Sequence, residues 1–147
     1  MNAIDFLIRE HERVKQRFLD ISDESHREET RKKMFNELCM ELIRHEKMEH
    51  KVWYPHFKND DRLDDTVRHL LTEEKHAEQA IRQFDDIKTV AAWERKFNKL
   101  MDDVIHHAEE EEQKLFPKVR KLLTEEELEQ IGKDMRQFKR QYPKDLH

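Results

Sequence analysis

The chain has 147 residues, of which 43% are charged and 35% apolar, and its net charge of −5 is spread over interspersed acids and bases. That length suits one domain. The lack of a basic stripe removes the electrostatic footprint of nucleic-acid binding, and no apolar run is long enough for a spanning helix or a signal peptide. One Gly and three Pro are too few turn formers for a sheet protein, and eight Phe, two Trp and two Tyr argue against a disordered chain.

Helical periodicity then sets out the elements in order. The first helix runs from about Ala3 to Ser22, with Ile4, Leu7, Val14, Phe18 and Ile21 as its apolar stripe. Ser25 and Glu28 have capping-box spacing for a second helix, which reaches about Trp53 on a stripe of Phe35, Leu38, Leu42 and Val52, with Pro55 near its end. Asn59 or Asp60 is placed to cap a third helix that extends to roughly Lys88 through Val67, Leu70, Ala77, Ile81, Phe84 and Ile87. The fourth follows Thr89 on Phe97, Leu100, Val104 and Leu115, with Pro117 near its end. Thr124 and Glu127 form another capping box, which opens a helix from Glu125 to about Gln141, before Pro143. The short connections force antiparallel neighbours. The expected fold is therefore all-α, an antiparallel up-down-up-down four-helix bundle over 1–122, with an additional C-terminal helix in 123–147 packing on it within the same domain.

An internal repeat points to the chemistry. Residues 45–55 read HEKMEHKVWYP and residues 107–117 read HAEEEEQKLFP. In each, a Glu follows the His by four positions, an aromatic by nine and a Pro by ten. Residues four apart share a helix face, about 6 Å apart along the axis. His45 and Glu49 are in register with Leu38, Leu42 and Val52, and His107 and Glu111 with Leu100, Val104 and Leu115, so both pairs face the core. His106 and Glu110 have the same spacing, but they share their face with Lys99, Asp102, Asp103 and Gln113 and look outward.

His11 lies in the first helix's stripe, and His76 lies at the edge of the third helix's apolar face. Taken alone, His11 reads as a satisfied core histidine. Together, four imidazoles and two inward carboxylates exceed the needs of one ion and suit two ions bridged by the carboxylates. A buried carboxylate is costly unless it is paired or bound to a metal. Mixed imidazole and carboxylate donors favour iron, with manganese and zinc as alternatives. Cys39 is the one cysteine. It permits no internal disulfide, reads as a small buried hydrophobe, and fits a reducing, cytoplasmic setting. Trp53, Tyr54, Phe57 and Phe116 are expected to pack at the bundle end, with Tyr54 as a metal-facing phenol the alternative. Met34, Met40, Met48 and Met101 read as gap-fillers, and His26, His50, His56 and His147 as surface residues.

His11, then HEKMEHKVWYP, then EEKHAEQA (73–80), then HAEEEEQKLFP form an ordered set that resembles the hemerythrin family, in its HHE cation-binding branch, over positions 1 to about 122. The resemblance implies a non-haem centre of two iron ions bridged by carboxylates and an oxo or hydroxo group. It implies His11, His45, His76 and His107 as nitrogen ligands and Glu49 and Glu111 as bridges. The oxygen-carrying members have two His four apart on the third helix. Here Thr72 and Ala80 flank His76 at that spacing, and Glu73, His69 or Glu46 is left to complete the site. The fourth-helix carboxylate, an Asp five after the His in those proteins, is here Glu111 at four, with Glu112 at five.

The expected role is the handling of a small oxidant or diatomic ligand (oxygen, nitric oxide or peroxide), either as a binding or sensing protein or as a stress-response redox protein. The alternative is an enzyme with catalase-like or nitric-oxide-reducing activity. A metal-free helical interaction module ranks below both. The expected partners are the small ligand and, for a sensor, a second copy or another protein, with neither nucleic acid nor membrane involved.

Overall fold

The structure is a computed structural model that describes residues 1–145; His147 lies outside the described residues. Six helices carry the chain: α1 (Ala3–Ser22), α2 (Glu28–Met48), α3 (Asp64–Gln83), α4 (Val90–Glu110), α5 (Phe116–Leu122) and α6 (Glu125–Asp145). The contacts of α1 with α2, α2 with α3, α3 with α4 and α4 with α1 close a ring of four, the expected antiparallel bundle. The described residues contain no strand, and no helix among them is long and apolar enough to cross a membrane.

Local chemistry fixes most boundaries. Asn2 caps α1 by accepting from the Asp5 N–H at 2.9 Å, and Thr89 caps α4 by accepting from the Ala92 N–H. Thr124 and Glu127 exchange backbone-to-side-chain hydrogen bonds of 3.0 and 3.1 Å, so that capping box forms. The expected box at Ser25 does not form. Asp23 takes the Ser25 N–H in a local turn, and α2 starts after Arg27 with no side-chain cap. Nor do Asn59 and Asp60 cap α3. Asp60 is engaged with the Arg62 N–H and guanidinium, and α3 begins after Leu63. The third helix stops at Gln83, short of Lys88, and passes into a 3₁₀ turn at Phe84–Asp86. The last helix runs through Pro143 to Asp145 instead of ending before it.

Both copies of the repeat widen into π-helical turns, Glu49–Trp53 and Glu111–Leu115, each beginning at the inward Glu. Tyr54 N–H bonds to the Glu49 carbonyl and Phe116 N–H to the Glu111 carbonyl, five residues back in each case. The next residue is Pro55 or Pro117, which lacks an N–H and crowds the carbonyl four before it. A widened turn relieves that crowding, and such turns recur at functional sites. The prolines therefore redirect the helices without ending them: α4 continues through Pro117 as α5.

The core is two apolar plugs. One, at the end where α6 packs, holds Leu7, Met48, Trp53, Phe57, Leu70, Leu115 and Phe116, joined by Leu128, Ile131 and Met135 of α6. The other holds Phe18, Phe35, Leu38, Leu42, Phe97 and Leu100. Each fully buried side chain of this size contributes roughly 1.5–3 kcal/mol. Cys39 is buried in the second plug, and that burial, with nearby Asp85, pushes its thiol up to about 12. Met48 is buried, whereas Met40 is 61% exposed and fills no gap.

Gly132, the chain's one glycine, sets how closely α6 crosses the start of α1. A Cβ there would lie 2.8 Å from the Met1 carbonyl oxygen and 3.0 Å from Ala3 N. Alanine gains about 1 kcal/mol of helix propensity, but backbone at 2.8 Å cannot yield without moving a helix. Gly132→Ala is thus expected to destabilise by about 1–3 kcal/mol, seen as a lower thermal midpoint. An unchanged or raised midpoint would show that α6 slides freely on α1.

Candidate metal centre

Between the two plugs lies a polar layer. Each of the four bundle helices enters it at one level: α1 between Leu7 and Val14, α2 with its π turn between Leu42 and Val52, α3 between Leu70 and Ala77, and α4 with its π turn between Val104 and Leu115. Into it project His11, His45, Glu49, Glu74, His107 and Glu111. Glu49 and Glu111 are 0% exposed and Glu74 is 3% exposed.

Each imidazole is held by an outer carboxylate at Nδ1 and turns its Nε2 into the layer. Nδ1 of His11 pairs with Glu112 at 2.9 Å, Nδ1 of His45 with Glu10 at 2.9 Å, and Nδ1 of His107 with Glu73 at 3.1 Å. An Nδ1–H donated outward to a carboxylate fixes the tautomer and leaves the Nε2 lone pair pointing inward. The inward nitrogens meet carboxylate oxygens: His45 Nε2 is 2.7 Å from Glu49 Oε1, His11 Nε2 is 3.1 Å from Glu111 Oε1, and His107 Nε2 is 3.5 Å from Glu74 Oε2. Both Glu49 oxygens, Glu111 Oε1 and His107 Nε2 are nevertheless buried without an aligned hydrogen bond. Such orphaned buried groups are rare and call for a cause. Imidazole nitrogens and carboxylate oxygens this close to one another need a proton or a cation between them.

Two ligand groups follow, His11–His45–Glu111 and Glu49–His107–Glu111, with the donor atoms of each group within 4.8 Å of one another. Glu111 belongs to both. The electrostatics agree. Burial and the charges of Glu111 and Glu74 push the Glu49 carboxyl well above the usual range, whereas Glu111, despite its burial, is held well below it by Glu49 and His11. Without a cation between them, two such carboxyls cannot both ionise. Burial opposes the charging of His107, but Glu74 and Glu111 outweigh it and raise the imidazole to about 9. The layer attracts positive charge, and a metal would compete with protons for it.

The structure does not bring His76 to this layer. It is exposed and borders a surface recess with Glu73, Asp103 and His106. The third helix instead contributes Glu74, which was absent from the expected ligands. Glu74 also accepts from the Tyr54 hydroxyl at 3.0 Å and pairs with His50 at 3.0 Å, so His50, although largely exposed, is not a free surface residue. Tyr54 O–H also reaches Glu111 Oε2 at 2.9 Å, the metal-facing alternative for that phenol. Glu73 and Glu112 support imidazoles from outside, and His69 lies at the surface. Glu46 lines a narrow cavity of about 60 Å³ that opens onto His11, His45, Glu49, Glu74 and His107 between Val14, Leu42, Ala77, Ile81 and Val104.

The C-terminal helix reaches the layer indirectly. Lys139 pairs with Glu10, the carboxylate that holds His45. Burial works against the ionisation of Glu10, but His45 and Lys139 prevail and hold it at about 2. Lys139→Met keeps an unbranched side chain and removes the charge, together with the ammonium that lies 5.7 Å from the Phe6 ring centroid. It is expected to weaken metal binding roughly tenfold, the low end for an outer partner, with an unchanged thermal midpoint. Unaltered affinity would remove α6 from the site.

Residues 2–119 match the family model described as Hemerythrin HHE cation binding domain. The crystal structure of a hemerythrin HHE cation binding domain-containing protein from Mycobacterium kansasii superposes with a TM-score of 0.85 at 24% identity, covering 97% of this chain and 87% of that one. At that identity the likeness is one of fold. No curated protein matches the chain.

Proposed function

Because the chain belongs to the hemerythrin HHE cation-binding domain family, we propose that its polar layer holds two iron ions and presents them to a small oxidant or diatomic ligand (oxygen, nitric oxide or peroxide). The observation that carries this reading is the orientation of the three imidazoles. Each is tied outward at Nδ1, and their Nε2 atoms point inward at the orphaned oxygens of Glu49 and Glu111 or at Glu74. His11, His45 and His107 would serve as nitrogen ligands, Glu49 and Glu111 as carboxylates between the ions, and Glu74 as the third-helix ligand in place of His76. Iron in this donor set would supply one-electron redox chemistry and open coordination positions.

Cavity size bounds the ligand. About 60 Å³ accommodates a few atoms, against the roughly 300–1,000 Å³ of a site for larger organic molecules. The apolar walls favour a small uncharged species. Among the described residues, the large apolar side chains that are well exposed, Met1, Leu19, Met40 and Val90, are spread over separate parts of the fold, which weighs against an interaction module built on one apolar face.

Tyr54 favours the second reading, an enzyme with catalase-like or nitric-oxide-reducing activity. Its buried hydroxyl lies 3.0 Å from Glu74 Oε2 and 2.9 Å from Glu111 Oε2, so its single phenolic proton is held between these two carboxylates beside the layer. Metal content per chain, with an absorption spectrum before and after peroxide, separates the readings. About two irons and sustained gas evolution support the enzyme, and two irons without turnover support binding or sensing. No iron after anaerobic loading would overturn the proposal.

A further inference from the structure

The His-x-x-x-Glu spacing of the buried layer recurs on the outer face of the α3–α4 pair, as His69 and Glu73 on α3 and His106 and Glu110 on α4. The side chains meet across the groove between the helices. His106 Nε2 lies 2.8 Å from Glu110 Oε1, His69 Nε2 lies 2.9 Å from Glu110 Oε2, and His69 Nε2 lies 3.6 Å from Glu73 Oε2. We infer that these four side chains form a second, solvent-facing site for one divalent transition-metal ion, distinct from the buried layer and joined to it through Glu73.

The geometry and the donor types carry this inference. Donors about 2.0–2.2 Å from an ion such as zinc lie roughly 3–3.5 Å from one another; His69, Glu73 and Glu110 already bring one donor atom each within 4.8 Å of one another, and His106 stands at the other oxygen of Glu110. Glu110 Oε2 is buried and makes no hydrogen bond although the His69 imidazole lies 2.9 Å away, so this oxygen is left without a donor in the fold. Two imidazoles with two carboxylates select zinc, cobalt or ferrous ion over magnesium and calcium, and the two negative charges balance a divalent ion. Access is open: the His69 and His106 side chains are 57% and 62% exposed. A nearby competitor is Lys114, 3.6 Å from Glu110 Oε1 on a largely exposed side chain that is free to swing away. Glu73 gives Oε2 to this cluster and accepts from His107 Nδ1 through Oε1. An ion held here would sit one carboxylate away from a side chain of the buried layer.

The test is zinc ion titrated alone into the full chain and followed through the imidazole nitrogen resonances. The Nε2 signals of His69 and His106 are expected to move together at one equivalent beyond whatever the buried layer takes. His26, an exposed imidazole in the α1–α2 connection, should not move with them. His106→Ala is expected to weaken this uptake at least as much as the ~10–100-fold cost of losing an outer partner, and to leave the responses of His11, His45 and His107 in place. If only those three respond, the surface site is overturned and the buried centre stands. If only His69 and His106 respond, the surface site stands and the buried centre falls. An equal response of His26 would mark non-specific binding and overturn the inference.

Discussion

On the two-iron reading proposed above, Glu111→Ala is expected to take the protein from about two irons per chain to none held through purification. Glu111 is the side chain common to both ligand groups, His11–His45–Glu111 and Glu49–His107–Glu111. Its removal leaves each remaining pair one donor short and takes away the negative charge between the two positions. Losing an outer-shell partner already costs roughly 10–100-fold in metal affinity, so the loss of an inner carboxylate shared by two ions should exceed that for both. Glu111→Gln separates charge from shape, since the amide fills the same volume and can still accept from Tyr54. It is expected to lose iron nearly as completely, while the metal-free variant should melt no lower than wild type because a carboxylate that crowds Glu49 has gone. The readouts are iron per chain and thermal midpoint with and without metal. Two irons retained in either variant would refute the shared-carboxylate assignment.

The fold was legible because its signals are local and periodic. The stripe of Ile4, Leu7, Phe18 and Ile21 is the buried face of α1, and the repeat registers put Glu49 and Glu111 at full burial. Capping motifs were weaker guides, since a cap forms only where no competitor takes the same group. Thr124 faces no rival, whereas Asp23 claims the Ser25 N–H first. The π turns were hidden because a proline after a helical run reads equally as a stop or as a distortion, and the choice depends on whether tertiary packing keeps the next turn helical.

The carboxylates behind the imidazoles were harder to see. Glu10, Glu73 and Glu112 each adjoin an inward residue in sequence, at His11, Glu74 and Glu111. A neighbour on a helix is turned by about 100°, away from the core and toward the next helix. Each of these carboxylates thus serves an imidazole of another helix, as Glu10 serves His45, Glu73 serves His107 and Glu112 serves His11. The available signal was an acid immediately beside an inward ligand, but which helix it faces depends on the bundle's geometry.

The third helix offers the sharpest contrast between two neighbouring residues. Val67, Leu70, Glu74, Ala77 and Ile81 fall at spacings of three, four, three and four, the continuous apolar face of a helix. His76 is two positions from Glu74, about 200° around the axis, so the two cannot both face inward. A search for a nitrogen ligand selects His76, whereas the stripe selects Glu74, and burial agrees with the stripe. His76→Ala is therefore expected to leave iron content, spectrum and thermal midpoint at wild-type values. Glu74→Ala is expected to weaken the more loosely held iron by at least about tenfold, so that about one ion per chain survives dialysis. It should remove the carboxylate 3.5 Å from His107 Nε2 and leave Tyr54 bonded to Glu111 alone. Glu74→Gln, which can still accept from Tyr54, checks that the loss follows the charge and not a collapse of the packing. Iron lost from His76→Ala and kept in Glu74→Ala would mean that α3 is rotated by nearly half a turn from the arrangement described.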